Sequence, residues 1–386
     1  MSVASAKLRV SGRREQLATR LTFLLAGLGM AAWAPLVPYA KQQVRADNAT
    51  LGLLLLSLGL GSIIAMPATG ILASRYGCRI VIVVATIGMA LMMPVFPIVD
   101  TPIQLAVALA IFGASVGTVD VAVNIQAVMV EKDSGESLMS GFHGMFSLGG
   151  ILGAGGVSLA LGAGVPLGLV VWAISAVLIL LLMLSYNGLL TYGNKETGQV
   201  PMFVVPKGIV IVLGVLCFLV FMGEGAILDW SAIFLVTNHG YEQASAGIGY
   251  ASFAVMMTIG RLLGDRIVAR LGGTRVVLIG GLLAATGYAV AVWTSQPLLA
   301  LVGFALVGAG LSNIVPVFFT AAGRQTIMPT SLAVAAVTTL GYAGILLGPA
   351  TIGFIAQAWS LNVGLLLLAI FMIFVALVGS LVSRAG

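Results

Sequence analysis

Apolar runs long enough to cross a bilayer recur along the whole chain, separated by short breaks rich in Gly, Pro and charge. The hydrocarbon core of a membrane takes about 20 consecutive apolar residues as one helix. Twelve such runs lie near 21–40, 50–73, 79–98, 102–130, 140–163, 166–187, 208–236, 245–267, 274–294, 297–322, 331–357 and 361–383. The pattern predicts an all-α membrane protein with these runs as transmembrane spans 1 to 12. Span 1 is interrupted around Trp33 by Gly27, Gly29, Pro35 and Pro38, which suits a helix bending beside a cavity and equally suits plain packing. Span 4 should start with Asp100 or Thr101 as N-cap and Pro102 at the first helical position.

Composition agrees with the pattern. Of 386 residues 60% are hydrophobic and 8% charged, at mean hydropathy +1.14, which excludes a soluble protein. A net charge of +6 would suggest nucleic acid in a soluble chain, but here the basic residues follow the sidedness of a membrane. With the N-terminus inside, all 18 Lys and Arg except Lys41 and Arg45 fall on inner segments. Both termini are therefore expected in the cytoplasm, and no nucleic-acid partner is expected. The tail before Thr22 has no small-residue cleavage site after a short apolar core, so no cleaved signal peptide is expected.

Reactive chemistry is sparse. Cys78 and Cys217 imply neither a disulfide nor a metal site. His143 lies near the inner end of span 5 and His239 on the opposite side, which argues against a His-based metal centre and against metalloenzyme chemistry. No cluster of nucleophile and base is visible, and no Gly-rich loop with Lys is present to bind ATP. No enzyme activity, cofactor or metal is expected.

The two halves of the chain repeat each other. Trp33 in AAWAPL matches Trp230 in LDWSAI, Arg75 in SRYGCR matches Arg270 in ARLGGTR, and Gly149 and Gly153 match Gly344 and Gly348. The offsets, 197, 195 and 195 residues, imply two parallel, pseudo-symmetric six-helix halves related by an axis along the membrane normal. The expected division is a cytoplasmic tail at 1–20, an N-terminal half at 21–187, a cytoplasmic linker at 188–206 and a C-terminal half at 207–386. The Gly149 and Gly344 pairs, with Gly113 and Gly117, are small residues four apart, which let helices approach backbone to backbone.

An ionised side chain inside an apolar span costs several kcal/mol and marks a substrate or proton path. The stretch FMGEGAILDWSAI, Phe221 to Ile233, holds Glu224 and Asp229. At about 100° per residue, these acids point roughly 140° apart and do not both face one cavity. Glu224 lies past the bilayer middle, whereas Asp229 and Trp230 reach the far interface, so Glu224 is the favoured candidate. Span 4 carries Asp120 and Asn124 on one face, with Asp120 about 27 Å from the outer end. Two readings of Asp120 stand: a transport site, or a structural pair with Arg261 or another buried base. His143 serves equally as a proton relay or as a satisfied interfacial His. The expected substrate and proton site is drawn from Trp33, Asp120, Asn124, His143, Glu224, Asp229, Trp230, Asn313 and Tyr342.

Between spans 2 and 3 runs GILASRYGCR, from Gly70 through Ser74, Arg75 and Gly77 to Arg79. It resembles the cytoplasmic loop motif of the major facilitator superfamily: Gly, three residues, acid, Arg, any, Gly, any, base. In that family the loop latches the cytoplasmic gate by charge pairing and helix-end contacts; here Ser74 replaces the acid. The counterpart from Gly260 to Arg270 has Ala269 where the acid is expected, but Asp265, one turn from Arg261 on the same face, can pair with it. The resemblance thus implies a cytoplasmic gate of Gly70, Ser74, Arg75, Gly77, Arg79, Arg261, Asp265 and Arg270. The plainer reading leaves these arginines as topology signals.

The resemblance covers the whole chain. Within the superfamily, EGAILDW on span 7, HGMFSLGG on span 5 and LGYAGILLGP on span 11 look like the fucose-permease-like, YbjJ/MosC-like bacterial inner-membrane transporters. Proton-coupled fucose-permease relatives use carboxylates on spans 1 and 4. Asp120 matches the second; span 1 has no acid, and Glu224 on the paired span 7 is the candidate replacement. Residues and resemblance together imply a monomeric secondary transporter working by alternating access, carrying a small sugar- or polyol-like solute by proton symport across the bacterial inner membrane. The same inventory suits a small organic cation, proton-driven drug efflux or a uniporter, and a channel is a further reading.

Overall fold

The computed structural model describes residues 12–46, 48–193, 205–241 and 247–382. Lys7, Arg9, Lys195 and Arg384, and most of the expected tail and linker, lie outside these residues. Helices follow one another in the order α1 (Arg13–Ala32), α2 (Val37–Gln43), α3 (Asn48–Met92), α4 (Pro102–Ser134), α5 (Met139–Gly162), α6 (Leu167–Tyr186), α7 (Ile209–His239), α8 (Ile248–Leu271), α9 (Gly273–Trp293), α10 (Pro297–Leu311), α11 (Ile314–Arg324), α12 (Thr330–Ala358) and α13 (Leu361–Val382). Among the described residues there is no strand. That is the solution a bilayer demands, because a helix satisfies its backbone polar groups within its own segment.

These helices make twelve crossings. At 45 residues, α3 is about 68 Å long, twice the ~30 Å hydrocarbon core, and it is broken at Gly77, whose φ of 83° lies in the left-handed region. Spans 2 and 3 therefore lie on either side of Gly77. α1 with α2 forms span 1, α10 with α11 forms span 10, and each other helix is one span. Ten stretches are long and apolar enough to cross a membrane by composition alone. α8 is not among them; it carries Arg261, Asp265, Arg266 and Arg270.

Local sequence explains the starts and breaks. Thr101 caps α4 in a capping box with Gln104, the amide of Gln104 donating to Thr101 Oγ1 at 3.3 Å and Thr101 N–H donating to Gln104 Oε1 at 3.2 Å. α1 ends at Ala32, and a 3-10 turn over Ala34–Leu36 joins it to α2, with Pro35 and Pro38 in the first turn of the two pieces. The break in span 10 was not expected. Pro316 has no N–H to offer the Ser312 carbonyl one turn back, so the helix stops at Leu311 and restarts after Asn313.

The repeat is written in the packing. Gly149 and Gly153 on α5 bring backbone against Leu24 and Leu28 of α1, and Gly344 and Gly348 on α12 do the same against Phe218 and Met222 of α7. Gly113 on α4 rests on the Leu58 carbonyl of α3, as Gly308 on α10 rests on that of Phe253 in α8. A Cβ at Gly113, Gly149, Gly153, Gly308 or Gly344 would collide with the neighbouring helix, and at Gly348 it would be tightly crowded. The two halves meet where α3 crosses α12, α5 crosses α8, and α4 faces α11 and α12.

Candidate functional site

A cavity of about 110 Å³ lies between the halves. Its polar wall is Asp120 and Asn124 from α4, His143 from α5, Glu224 from α7, Arg261 from α8 and Tyr342 from α12; Phe146, Phe221 and Phe319 add aromatic faces. Five of the nine residues expected at the substrate and proton site thus come together from both halves. The Asn124 amide donates to the Asp120 carbonyl at 2.9 Å and to Asp120 Oδ1 at 3.4 Å, as their one-turn spacing allows. Asn124 Oδ1 and His143 Nε2 are buried without a protein partner. The His143 ring sits between those of Phe23, at 5.2 Å, and Phe319, at 5.6 Å, the latter from the opposite half. The Tyr342 hydroxyl reaches Met30 Sδ on α1 at 3.9 Å.

Arg261 was assigned to the gate from its motif, but its side chain enters this cavity. Nη2 lies 3.4 Å from Glu224 Oε1, Nη1 donates to Ser147 Oγ on α5 at 3.0 Å, and Nε donates to the freed Ser312 carbonyl at 3.4 Å. Its expected pairing with Asp265 is not made. Helical side chains lean toward their own N-terminus, which carries Arg261 toward the cavity and leaves Asp265, one turn on, facing α5. There Asp265 Oδ1 accepts the Gly141 amide at 2.8 Å. The pairing of Asp120 with Arg261 is not made either: among the described residues no base pairs with Asp120, and the ion pair in the cavity is Arg261–Glu224.

The halves are sealed at the end that carries the loop motif, through residues of which the sequence singled out only some. Glu131, at the end of α4, was missed. It is buried, its Oε2 accepts the amides of Leu138 at 2.8 Å and Met139 at 2.7 Å, and its Oε1 accepts a hydrogen bond from Thr320 of α11 in the other half. Glu131 and Asp265 together hold the otherwise unsatisfied amides at the start of α5, where the helix dipole favours negative charge. Gly70 lies against Ala335 Cβ and the Ser331 carbonyl at the start of α12, where a Cβ would come within 2.9 Å of both. A second cavity, of about 200 Å³, opens beside this seam between Glu131, Asp265 and Arg324.

Other motif residues face elsewhere. Arg79 does not reach the opposite half: its Nη2 and Nε donate to the Leu189 carbonyl at 2.8 and 3.1 Å, and its guanidinium lies 5.0 Å from the Tyr186 ring centre. Gly77 is pressed against the Thr191 carbonyl, so this corner grips the chain just past α6. The Ser74 hydroxyl is buried without a partner, and Arg75 and Arg270 are exposed. Ser74 brings no acid to Arg75, and among the described residues no acid pairs with it. Four candidates for the central site also lie outside the cavity wall. Trp33 packs on Phe96 at 4.3 Å and Phe112 at 6.5 Å. Asp229 is exposed and Trp230 packs against Gly353. Asn313 precedes α11 and donates to the Gly260 carbonyl at 3.0 Å.

A two-fold-repeated helical membrane protein with a charged cavity between its halves is a transporter by architecture. The chain belongs to the Major Facilitator Superfamily, whose defining pattern matches residues 21–330. It is 52% identical, over 97% of each chain, to an uncharacterized MFS-type transporter of Yersinia pestis. It is 30% identical to the membrane protein MosC of Rhizobium meliloti, over 96% of this chain and 88% of that one. Among solved structures, the E. coli fucose:proton symporter FucP superimposes with a TM-score of 0.79 at 16% identity, covering 98% of this chain and 99% of FucP. The proton:xylose symporter XylE gives 0.74 at 15% identity over 94% of each chain. At such identities the likeness is one of fold.

Proposed function

We propose that this protein is a secondary active transporter of a small polar solute, sugar- or polyol-like, which it carries with protons by alternating access across the bacterial inner membrane. The observation that carries the reading is the buried cavity in which carboxylate, amide, imidazole, guanidinium and phenol groups from both halves converge. Amide and carboxylate groups suit hydroxyl donors, and the aromatic rings cover the apolar face of a sugar ring. Two structural neighbours, a fucose:proton and a proton:xylose symporter, carry such a cargo. The substrate and proton site comprises Asp120, Asn124, His143, Glu224 and Tyr342, and the gate lies at the Glu131, Asp265 and Gly70 contacts. The charge bias supports cytoplasmic termini and a cytoplasmic gate.

A thermal-shift screen of the purified protein against sugars, polyols, amino acids and drugs tests the cargo, since a ligand of the folded state raises its apparent stability. The expected result is stabilisation by a sugar or polyol. Stabilisation by hydrophobic drugs alone would favour the second reading, efflux, for which Phe146, Phe221 and Phe319 on the wall speak. Uptake by proteoliposomes under an imposed pH gradient tests the coupling, and a carrier indifferent to the gradient would be a uniporter.

A further inference from the structure

Formal charges on the cavity wall do not cancel. Asp120 and Glu224 are acids, and Arg261 is the one Lys or Arg among them. The Arg261–Glu224 pair, at 3.4 Å, neutralises itself. Asp120 keeps a hydrogen bond from Asn124 and has no basic partner among the described residues. His143 stands beside the same guanidinium, where a second positive charge meets like-charge repulsion. Other titratable groups near the acids are neutral when protonated. Cys217 on α7, Tyr250 on α8 and Tyr288 on α9 are within electrostatic range of Glu224, and the Tyr288 hydroxyl is committed to the Gly223 carbonyl at 3.0 Å. Tyr342 on α12 is the neighbour of Asp120, while α1, α3 and α11 contribute only Ala, Met and Phe to the wall. An uncompensated carboxylate among apolar walls is strongly opposed by desolvation, so one positive charge must accompany the second acid.

We infer that Arg261 sets the number of protons in the cavity to one: it is the standing counter-ion of Glu224, and Asp120 is the group on which the transported proton rides. The inference rests on the reading of this cavity as the transport site. Arg261 is then a positioning residue, acting through Glu224. It also ties the charge of the cavity to the seam, because the same guanidinium holds Ser147 on α5 while Asp265, one turn along α8, holds Gly141. The charge count further separates two cargo classes. A neutral solute travels with the proton and moves one charge per cycle, whereas a solute bearing its own ammonium takes the proton's place at Asp120 and exchanges with it.

Infrared spectroscopy of the purified protein in lipid, at neutral pH and without substrate, counts protonated carboxyls by their C=O stretch. One cavity band is expected; it is lost in Asp120→Asn and moves when aspartate side-chain carboxyls are labelled with carbon-13. Arg261→Met should raise the count to two, because Glu224 then lacks its counter-ion. Arg261→Met/Glu224→Gln should restore one. Should the single variant not fold, the double variant still decides, since removing both members of a buried pair leaves no orphaned charge. A band that ignores the aspartate label, an unchanged count in Arg261→Met, or a double variant without a band overturns the inference. These spectra need no substrate, so their failure is separate from a failure of proton-driven uptake, which would overturn the reading on which the inference rests.

Discussion

Glu131 and Asp265 are the side chains that we propose hold the motif-bearing face closed. Each carboxylate replaces the missing partners of amides at the start of α5, and Glu131 adds a hydrogen bond from Thr320 across the halves. Glu131→Gln or Asp265→Asn keeps the shape and removes the charge, at a cost of about 1.5–3 kcal/mol for a hydrogen bond to a charged group. Because the Asp265–Gly141 and Glu131–Thr320 bonds join the two halves, weakening them should move the population toward the state open on this side. Spin-label distances across the face should lengthen in both variants, and an unchanged distribution would exclude them from the latch. Arg75→Ala is the contrasting case. The family motif predicts that it loosens the gate, but Arg75 is exposed here and Ser74 offers no charge to it, so the same distances should stay as in wild type.

Helix pairs in this fold are joined by glycine contacts that leave no room for a side chain. Gly149→Leu on α5 and Gly344→Leu on α12 should each destabilise the protein by about 1–3 kcal/mol or more, the usual cost of overpacking, since both face a carbonyl of the neighbouring helix. Gly155 and Gly156 on α5 have open space around the position of a Cβ. Their replacement by Ala should leave the melting temperature unchanged or raise it slightly, by up to about 1 kcal/mol of helix propensity. Thermal unfolding in detergent ranks the four variants. An equal loss in both pairs would mean that glycine matters through helix flexibility rather than close approach. The offset of 195 residues between Gly149 and Gly344 was legible in the sequence, whereas the particular carbonyls they meet were not.

For the whole molecule, topology and coupling are the testable properties. Reporters fused at Asn194 and after Gly386 should both read cytoplasmic, as the distribution of Lys and Arg predicts. A periplasmic signal at either place would overturn the topology. Once a substrate is in hand, Asp120→Asn should abolish accumulation driven by a pH gradient and spare exchange between equal pools, because it removes the proposed proton carrier while preserving the cavity's shape. Asp229→Asn should leave accumulation near wild type, since Asp229 is exposed and outside the cavity wall. Full accumulation in Asp120→Asn would place the coupling elsewhere.

Hydropathy and periodicity act along the chain, and what depends on them was readable from the sequence alone: twelve crossings, two repeated halves, a cap for α4 at Asp100 or Thr101, and the facing of Glu224 away from Asp229. The shared face of Asp120 and Asn124 belongs here too, since helical spacing alone dictates it. What depends on the approach of distant segments was not readable. A motif placed Arg261 at a gate, yet side-chain lean and the crossing of α5 over α8 turn it toward Glu224 and Ser147. Glu131 looked like one more acid at a helix end until α5 and α11 brought amides and a hydroxyl to it. Trp33, central by its repeat, was claimed by Phe96 and Phe112. The local code sets which way a residue faces on its own helix, and only the packing of the two halves decides what stands opposite.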